Sequence, residues 1–600
     1  MLNKVVEQVT NRIIERSRET RSAYLARMKE HYGKKVQREQ LACTNLAHVA
    51  AAEDDKVKIR LKQIDAPNIG IVTAYNDMLS AHQPYYRYPE QLKAVINQTG
   101  ATAQVAGGVP AMCDGVTQGQ VGMELSLLSR EVIAMATAIS LSHNVFDGVM
   151  CLGICDKIVP GLLIGALSYG YLPTIFVPSG PMPSGISNKE KAETRKLFAE
   201  GKVGKDALME SEFKSYHAPG TCTFFGTANT NQMLMEAMGL HIPGSAFVAP
   251  NTPLRHKLTD AAATQIIQNT AQRGNFTPLC EIVSEKSIVN GIVALLATGG
   301  STNHTLHIPA IAHAAGINVT WDDFNELSQA VPLIAKVYPN SAYDVNQFHE
   351  AGGMTYVMSQ LLKGGFLHND VKTVVGDGLD AYATTPQLND DKLSWTPAVN
   401  SNREIVRDIA EPFSPEGGVR LLTGNLGRSV TKISAIAAEH RYVKAPAQVF
   451  HSQEDVLAAY KSGQLNCDVI VVLKYQGPRA NGMPELHALT PALASLQDQG
   501  YKVALVTDGR MSGASGKVPN AIHLTPEALA GGNLAKVQTG DIIELDLENG
   551  ILELHVPADE LAARELVIAD LSANRIGYGR ELFNHLRHNL SESEQGATLF

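Results

Sequence analysis

A mostly apolar run, Phe146–Ile154, ends in Cys155-Asp156-Lys157 and is followed almost at once by Pro160-Gly161 and the small-residue stretch Leu162–Tyr169. No other feature constrains the fold as much. The run reads as a buried strand of a parallel sheet. Proline near the first turn then opens a helix. A thiol, a carboxylate and an amine therefore stand side by side on the turn leaving the C-terminal end of a strand. That is where open α/β sheets bind their ligands. By type, Cys155 suits a soft metal and Asp156 a hard cation. Lys157 is out of place beside a cation unless its charge is removed or paired with an anion. The plain alternative is a buried cysteine beside a surface Asp–Lys pair.

The same strand–loop–helix rhythm recurs along the first two thirds of the chain. Asn68–Tyr75 reads as a strand running into the polar loop Asn76–His82. Thr102–Ala106 is a second strand, leading through Gly107-Gly108 to Met112-Cys113-Asp114-Gly115-Val116-Thr117-Gln118-Gly119, with a long amphipathic helix expected over Met123–Leu141. Pro173–Val177 is a further strand, and the turn-rich Pro178–Gly185 loop after it holds its backbone open for an anion. Lys189–Ala199 is a charged helix. Gly220-Thr221-Cys222-Thr223 leads into a Met-rich helix ending near Met238, and a cysteine at a helix N-terminus is expected to have a lowered thiol pKa. The alternation predicts a three-layer α/β domain with a mainly parallel sheet over 67–385, preceded by a helical extension, 1–66, that packs on it or serves a dimer interface.

The polar stretch Thr384–Asn402 reads as the domain boundary. Beyond it, strands are expected at Val419–Leu422, Ala447–Phe450, Val469–Leu473, Val503–Val506, Ile542–Leu545 and Ile551–Leu554, with few helices. A β-barrel-like domain over 400–600 follows. It carries two further loops with chemistry, Gly482-Met483-Pro484-Glu485 and Thr507-Asp508-Gly509-Arg510-Met511-Ser512-Gly513. The second is neither a phosphate-binding P-loop, which needs Gly at Met511 and Ser or Thr at Val518, nor a hydrolase elbow, which needs Gly at Arg510 and Ala514. A serine held by glycines beside an arginine remains a candidate base; a turn with a capping serine is the simpler alternative. Glu485 taken alone is a solvated carboxylate.

Six hundred residues exceed one core. A net charge of −9 argues against nucleic acid or an anionic membrane as partner, so a small anionic substrate needs a local positive patch or a metal. No apolar run reaches membrane-span length, and Met1–Arg21 lacks a signal-peptide core. Seven scattered cysteines fit reduced thiols in the cytoplasm. Cys155 and Cys222 lie at loop–helix junctions that suit ligands, and Cys113 is a possible third. Cys151 falls within a strand and reads as core. Cys43, Cys280 and Cys467 read as small buried hydrophobes. His304 and His307 read as core or helix-surface residues.

Together, Cys113-Asp-Gly-Val-Thr-Gln-Gly, Cys155-Asp-Lys-Ile-Val-Pro-Gly, Gly220-Thr-Cys222, Gly482-Met-Pro-Glu485 and Thr507-Asp-Gly-Arg-Met-Ser512-Gly resemble the dihydroxy-acid dehydratase / phosphogluconate dehydratase family, from about Asn68 to the last strands. The wording of the 112–120, 178–185 and 221–229 stretches is most similar to its phosphogluconate branch. The resemblance implies loss of water from 6-phosphogluconate, with a dihydroxy acid or an unphosphorylated sugar acid as alternative substrate. It implies an iron–sulfur cluster, [4Fe-4S] or [2Fe-2S], on Cys155 and Cys222 with Cys113 as candidate third ligand. It further implies a divalent cation, Mg or Mn, on Asp114, Asp156, Glu485 and a carbamylated Lys157, with Ser512 as the base and a homodimeric assembly. Asn76–His82 lacks the cysteine that dihydroxy-acid and sugar-acid members carry there. Candidate donors to the substrate phosphate are Ser179, Ser184, Lys189 and Arg510. An electron-transfer iron–sulfur protein and a non-catalytic sugar-phosphate binder are the rival classes.

Overall fold

The computed structural model describes residues 1–32, 37–199, 201–513, 515–566 and 568–600. Four parallel strands form the first sheet: β1 (Asn68–Thr73), β2 (Thr102–Gly108), β3 (Gly148–Leu152) and β4 (Thr174–Phe176), in the order β2-β1-β3-β4. β3 is buried along its whole length because helices cover both faces, which is why its sequence is a continuous apolar run. Cys151 is fully buried within it. All four strands run the same way, so the loops after them, at 74–82, 109–119, 153–157 and 177–185, gather at one edge of the sheet.

The helix after β3 spans Ile158–Leu167, with Pro160 in its first turn, and is buried throughout. It crosses the Ser129–Leu141 helix at glycines. A methyl group on Gly161 would come within 2.7 Å of the Arg130 carbonyl oxygen, and one on Gly165 within 2.6 Å of that of Ala134. The small residues of this stretch therefore serve backbone-to-backbone packing that holds the Cys155–Lys157 turn from behind. The N-terminal helix, Lys4–Tyr32, packs on the same body. Tyr24 donates to the Leu167 carbonyl at the far end of the 158–167 helix, Arg21 donates to the carbonyls of Cys280, Val283 and Ala315, and Arg12 and Arg16 pair with the buried Asp323.

The long helix expected over Met123–Leu141 is broken. A 3-10 turn, Val121–Leu125, precedes a helix that starts only at Ser129. The break lets the Ser126 hydroxyl donate to Asp114 and turns Glu124 toward Arg580 and Arg587. The polar stretch after 384 is ordered too. β5 (Thr384–Asn389) and β6 (Lys392–Pro397) form a hairpin that packs back on the first body, Trp395 donating to the Pro243 carbonyl.

Beyond it lies a closed eight-stranded barrel of β7 (Arg420–Gly424), β8 (Gly427–Thr431), β9 (Tyr442–Phe450), β10 (Val469–Leu473), β11 (Val503–Thr507), β12 (Asn520–Thr525), β13 (Ile542–Asp546) and β14 (Ile551–Leu554). The order is β8-β12-β11-β10-β9-β13-β14-β7. Two strands, β8 and β12, were not foreseen. Gly-Arg-Ser begins one, and the other, Asn-Ala-Ile-His-Leu-Thr, is buried at every position, so neither alternates in the half-exposed manner. From β9 to β12 the neighbours are parallel, so the loops after β10 and β11 also leave from one end. Those two loops carry Glu485 and Ser512. One apolar core fills the α/β body and reaches Leu486, Met511 and Val518, while a second fills the barrel. None of the helices is long and apolar enough to cross a membrane among the described residues.

Candidate active site

The loop edge of the parallel sheet meets the β10 and β11 loops of the barrel. Gly477–Leu486 and Asp508–Ser512 are zipped together by a bridge between Glu485 and Arg510, with the Leu486 amide donating to the Arg510 carbonyl at 3.0 Å. Gly482 sits at φ +70°, and a Cβ there would lie 2.0 Å from the Glu124 carbonyl oxygen. Only glycine allows the barrel loop to press this closely on the first body.

Carboxylate oxygens of Asp114, Asp156 and Glu485 converge to within 4.8 Å of one another. They come from the loop after β2, the loop after β3 and the barrel. Two cations lie among them. Lys157 is fully buried and donates to Asp114 Oδ1 at 2.6 Å and Asp156 Oδ2 at 2.8 Å. Arg510 reaches Asp114 Oδ2 at 2.7 Å and Asp156 and Glu485 at 3.3 Å, while its Nε–H donates to the Met483 carbonyl. Burial opposes the Lys157 charge, yet Asp114 and Asp156 outweigh it and raise its pKa. Burial likewise opposes the Asp156 charge, but Lys157 and the His307 hydrogen bond hold its pKa well below the usual range. Glu485 goes the other way, pushed up to about 8 by burial and by Asp114. The pocket thus holds more carboxylate than its two cations satisfy, and this hard-oxygen donor set fits a divalent cation.

The thiols form a second group. Cys113 and Cys155 share a hydrogen bond that lowers the Cys113 pKa to about 7 and raises that of Cys155 well above its ordinary value. Cys222 lies near enough to Cys113 to be affected by its charge. Three half-buried sulfurs from three loops, one of them prone to ionise, fit a soft metal centre. Cys155 has φ +82°, a conformation that costs a side-chain-bearing residue roughly 1–3 kcal/mol. The Thr227–Ala237 helix holds both thiol loops by their backbones. Asn231 donates to the Cys155 and Asp156 carbonyls at 2.9 Å, and Asn229 donates to those of Cys222 and Phe224 at 2.7 and 2.8 Å. His304 contacts the Asn231 side-chain oxygen at 3.0 Å.

Several expectations need correction. The Cys222 thiol is pushed up to about 12, first by burial, because its helix starts at Thr227, too far along for the helix dipole to act. Cys43 and Cys467 are exposed, one opening a surface helix and the other on the turn before β10; of the three cysteines expected as small buried hydrophobes, Cys280 alone is buried. Of the candidate phosphate donors, Ser179 is buried and donates to the Ala81 carbonyl at 2.8 Å. Ser184 is exposed and paired with Asp344 and Asn346, and Lys189 is exposed. Arg510 is taken up by carboxylates. Ser512 is buried beside Arg510, and Ala514 lies outside the described residues.

His307, expected as a core or helix-surface residue, is buried at the site, and Lys432 and Lys191 carry no signal of their own in the sequence. His307 Nε2 lies 3.0 Å from Asp156 Oδ1, and burial lowers its pKa to about 4. Buried Lys432 donates to the Gly513 carbonyl at 2.8 Å, next to Ser512, and burial lowers its pKa to about 7. Lys191 is buried near Cys222.

Family models of this architecture match nearly the whole chain. The dihydroxy-acid/6-phosphogluconate dehydratase N-terminal model matches residues 66–382, and the C-terminal model matches 404–597. A phosphogluconate dehydratase of Escherichia coli K12 is 58% identical over 599 residues, covering 100% of this chain and 99% of the relative. One of Pseudomonas aeruginosa is 57% identical over 597 residues, 99% and 98% of the two chains. A dihydroxy-acid dehydratase of Lachnoclostridium phytofermentans is 36% identical over 515 residues, 84% of this chain and 89% of the relative. With both models matched in order and relatives aligned from end to end, the chain belongs to the dihydroxy-acid/6-phosphogluconate dehydratase family.

Proposed function

We propose that this chain dehydrates 6-phospho-D-gluconate to 2-dehydro-3-deoxy-6-phospho-D-gluconate, the hydro-lyase step of the Entner–Doudoroff pathway. The observation that carries the reading is a hard carboxylate set adjoining a soft thiol set, in a chain that matches phosphogluconate dehydratases along its length. The enzyme has two working domains, 67–385 and 400–600, with 1–66 as a packing extension, and both contribute to the site.

Asp114, Asp156 and Glu485, with Lys157 once carbamylated, would hold a divalent cation, Mg or Mn. Cys155 and Cys222, with Cys113 as third ligand, would hold an iron–sulfur cluster, [4Fe-4S] in preference to [2Fe-2S]. When bound, these groups would supply Lewis acidity toward the substrate's oxygens and would lower the pKa of the Ser512 hydroxyl. Carbamylation joins Nζ to the carbon of CO2 with release of protons, converting the one misplaced cation into a ligand. Arg510 remains among the carboxylates as a fixed counter-charge.

Ser512 as alkoxide takes the C2 proton, and the C3–O bond breaks as the C2–C3 double bond forms. A proton passed back from the Ser512 hydroxyl converts the departing hydroxide to water, restoring the alkoxide and leaving an enol. Its tautomerisation, with a solvent proton added at C3, gives the 2-keto product. No electron leaves or enters, so the cluster's role is non-redox. Lys432 on the Gly513 carbonyl and Asn231 on the Cys155 carbonyl fix the two loops that must face each other. A cytoplasmic homodimer completes the reading. The cysteines are free thiols, and edge strand β2 presents exposed Val105 beside exposed Ile139 as an apolar surface for a second copy.

Relative rates test the substrate assignment. In anaerobically prepared protein, kcat/KM for 6-phosphogluconate should exceed that for gluconate and for a branched dihydroxy acid by about 100-fold or more, as a site built around a charged group discriminates. Comparable values for gluconate would favour a general sugar-acid dehydratase, and a preference for the branched acid would favour the dihydroxy-acid activity.

A further inference from the structure

We infer that Lys191 and His487, flanked by Arg195, form the subsite that takes the substrate's phosphate at the end of the pocket away from the carboxylates; this rests on the dehydratase reading above. Lys191 lies on the Asn188–Ala199 helix with only 7% of its surface exposed. Its ammonium sits 5.0 Å from the Tyr216 ring centre and 5.9 Å from that of Phe224. Among the described residues it has no carboxylate within ion-pair distance, unlike Lys157. Glu212 and Asp344 act on it only from beyond ion-pair distance, with Arg195 opposing them, and a buried ammonium without a direct counter-ion is costly unless an anion joins it.

Phe224 is two residues beyond Cys222, and the Cys222 thiol is affected by the charges of both Lys191 and Glu485. The thiols therefore adjoin a carboxylate end and a cationic end. His487 enters the cationic end from the barrel, two residues after Glu485. Its Nδ1 is buried with no hydrogen-bond partner. The charges of Lys191 and Arg195 both act on its ring, which places the three together where the 188–199 helix packs on the Leu489–Asp498 helix. Arg195 is itself fixed by a two-point contact with Glu212, at 2.5 and 2.9 Å, and adds positive potential without a free fork.

The ligand chemistry follows. The substrate is a chain with a carboxylate at C1 and a phosphate dianion at C6. Its carboxylate belongs at the cation end, so its phosphate needs donors at the other, in a protein whose net charge of −9 would otherwise repel it. An unpaired ammonium and an unpartnered imidazole nitrogen, one from each body, supply them.

The test is Lys191→Met in the anaerobic holoenzyme, with His487→Gln as second variant and Lys189→Met as control. Lys191→Met should lower kcat/KM for 6-phosphogluconate about 100-fold while leaving that for gluconate within about two-fold. Wild-type protein should bind inorganic phosphate in a phosphorus NMR titration, and Lys191→Met should abolish that binding and keep the same metal content; no binding by the wild type would count against the subsite. His487→Gln should show the same pattern, about 10-fold. Lys189→Met should change nothing. If the wild type prefers the phosphorylated acid and that preference survives in Lys191→Met, or if both substrates lose equally, the subsite is wrong. If the wild type itself does not distinguish the two acids, the substrate reading has failed instead. Should Lys191→Met not fold, Lys191→Gln carries the same expectations.

Discussion

Cys155→Ser should purify as a folded protein with less than about a tenth of the wild-type iron and a dehydratase activity lowered about 1,000-fold or more. Cys155 is held in a left-handed conformation at the end of β3 and hydrogen-bonds directly to Cys113. Asn231 fixes its carbonyl. A backbone strained to aim one sulfur has a purpose that an oxygen of different softness cannot serve. Cys222→Ser and Cys113→Ser should behave alike if the three thiols serve the one proposed centre. Cys43→Ser is the control: the residue is exposed on a surface helix and should keep its iron. Chemical iron analysis, the anaerobic visible spectrum and a thermal melt read out all four. Full iron content in Cys155→Ser or Cys222→Ser would remove the thiols from the proposed centre, and iron loss in folded Cys43→Ser would contradict its surface role.

The second large effect concerns the proton. Ser512→Ala should retain metal and cluster yet exchange the substrate C2 proton with solvent far more slowly, by about 100-fold or more, with turnover falling in step. A serine hydroxyl by itself is far too weakly acidic to be ionised at neutral pH. The loop of Ser512 is pinned on both sides, by Arg510 among the carboxylates and by Lys432 on the Gly513 carbonyl. Ser512 thus follows by two residues the arginine that touches Asp114, Asp156 and Glu485, the groups that would hold a cation. Deuterium incorporation at C2 in D2O decides the matter. Exchange at the wild-type rate in Ser512→Ala would move the base to another residue, His307 being the nearest imidazole in contact with Asp156.

What the sequence disclosed, and what it hid, follows from the range of the interactions. β3 and its Cys-Asp-Lys turn were legible because a fully buried parallel strand writes itself as a local apolar run. Gly482 and Pro484 mark a rigid loop locally, but Glu485, solvated when read alone, is buried because the loop is pressed on the first body. The break before Ser129 was not, because it is set by a contact from Ser126 to Asp114 and by Glu124 meeting arginines more than 450 residues away. Strands β8 and β12 are not legible because, unlike the alternating β9 and β13, they are buried without a period-2 pattern. Lys189 was chosen over Lys191 because composition does not report helix phase. Two positions differ by roughly 200° around a helix, so one lysine meets solvent and the other the pocket. Asn231, His307 and Lys432 act through partners distant in sequence, and only the assembled fold brings them to Cys155, Asp156 and Gly513.

The most direct measurement is proton and phosphorus NMR of 6-phosphogluconate incubated in D2O with the anaerobically purified protein. The account predicts loss of one water per molecule and a 2-keto-3-deoxy acid that keeps its 6-phosphate and carries solvent deuterium at C3, introduced when the enol tautomerises. Unchanged 6-phosphogluconate, in a preparation with full metal content that consumes a branched dihydroxy acid, would contradict it.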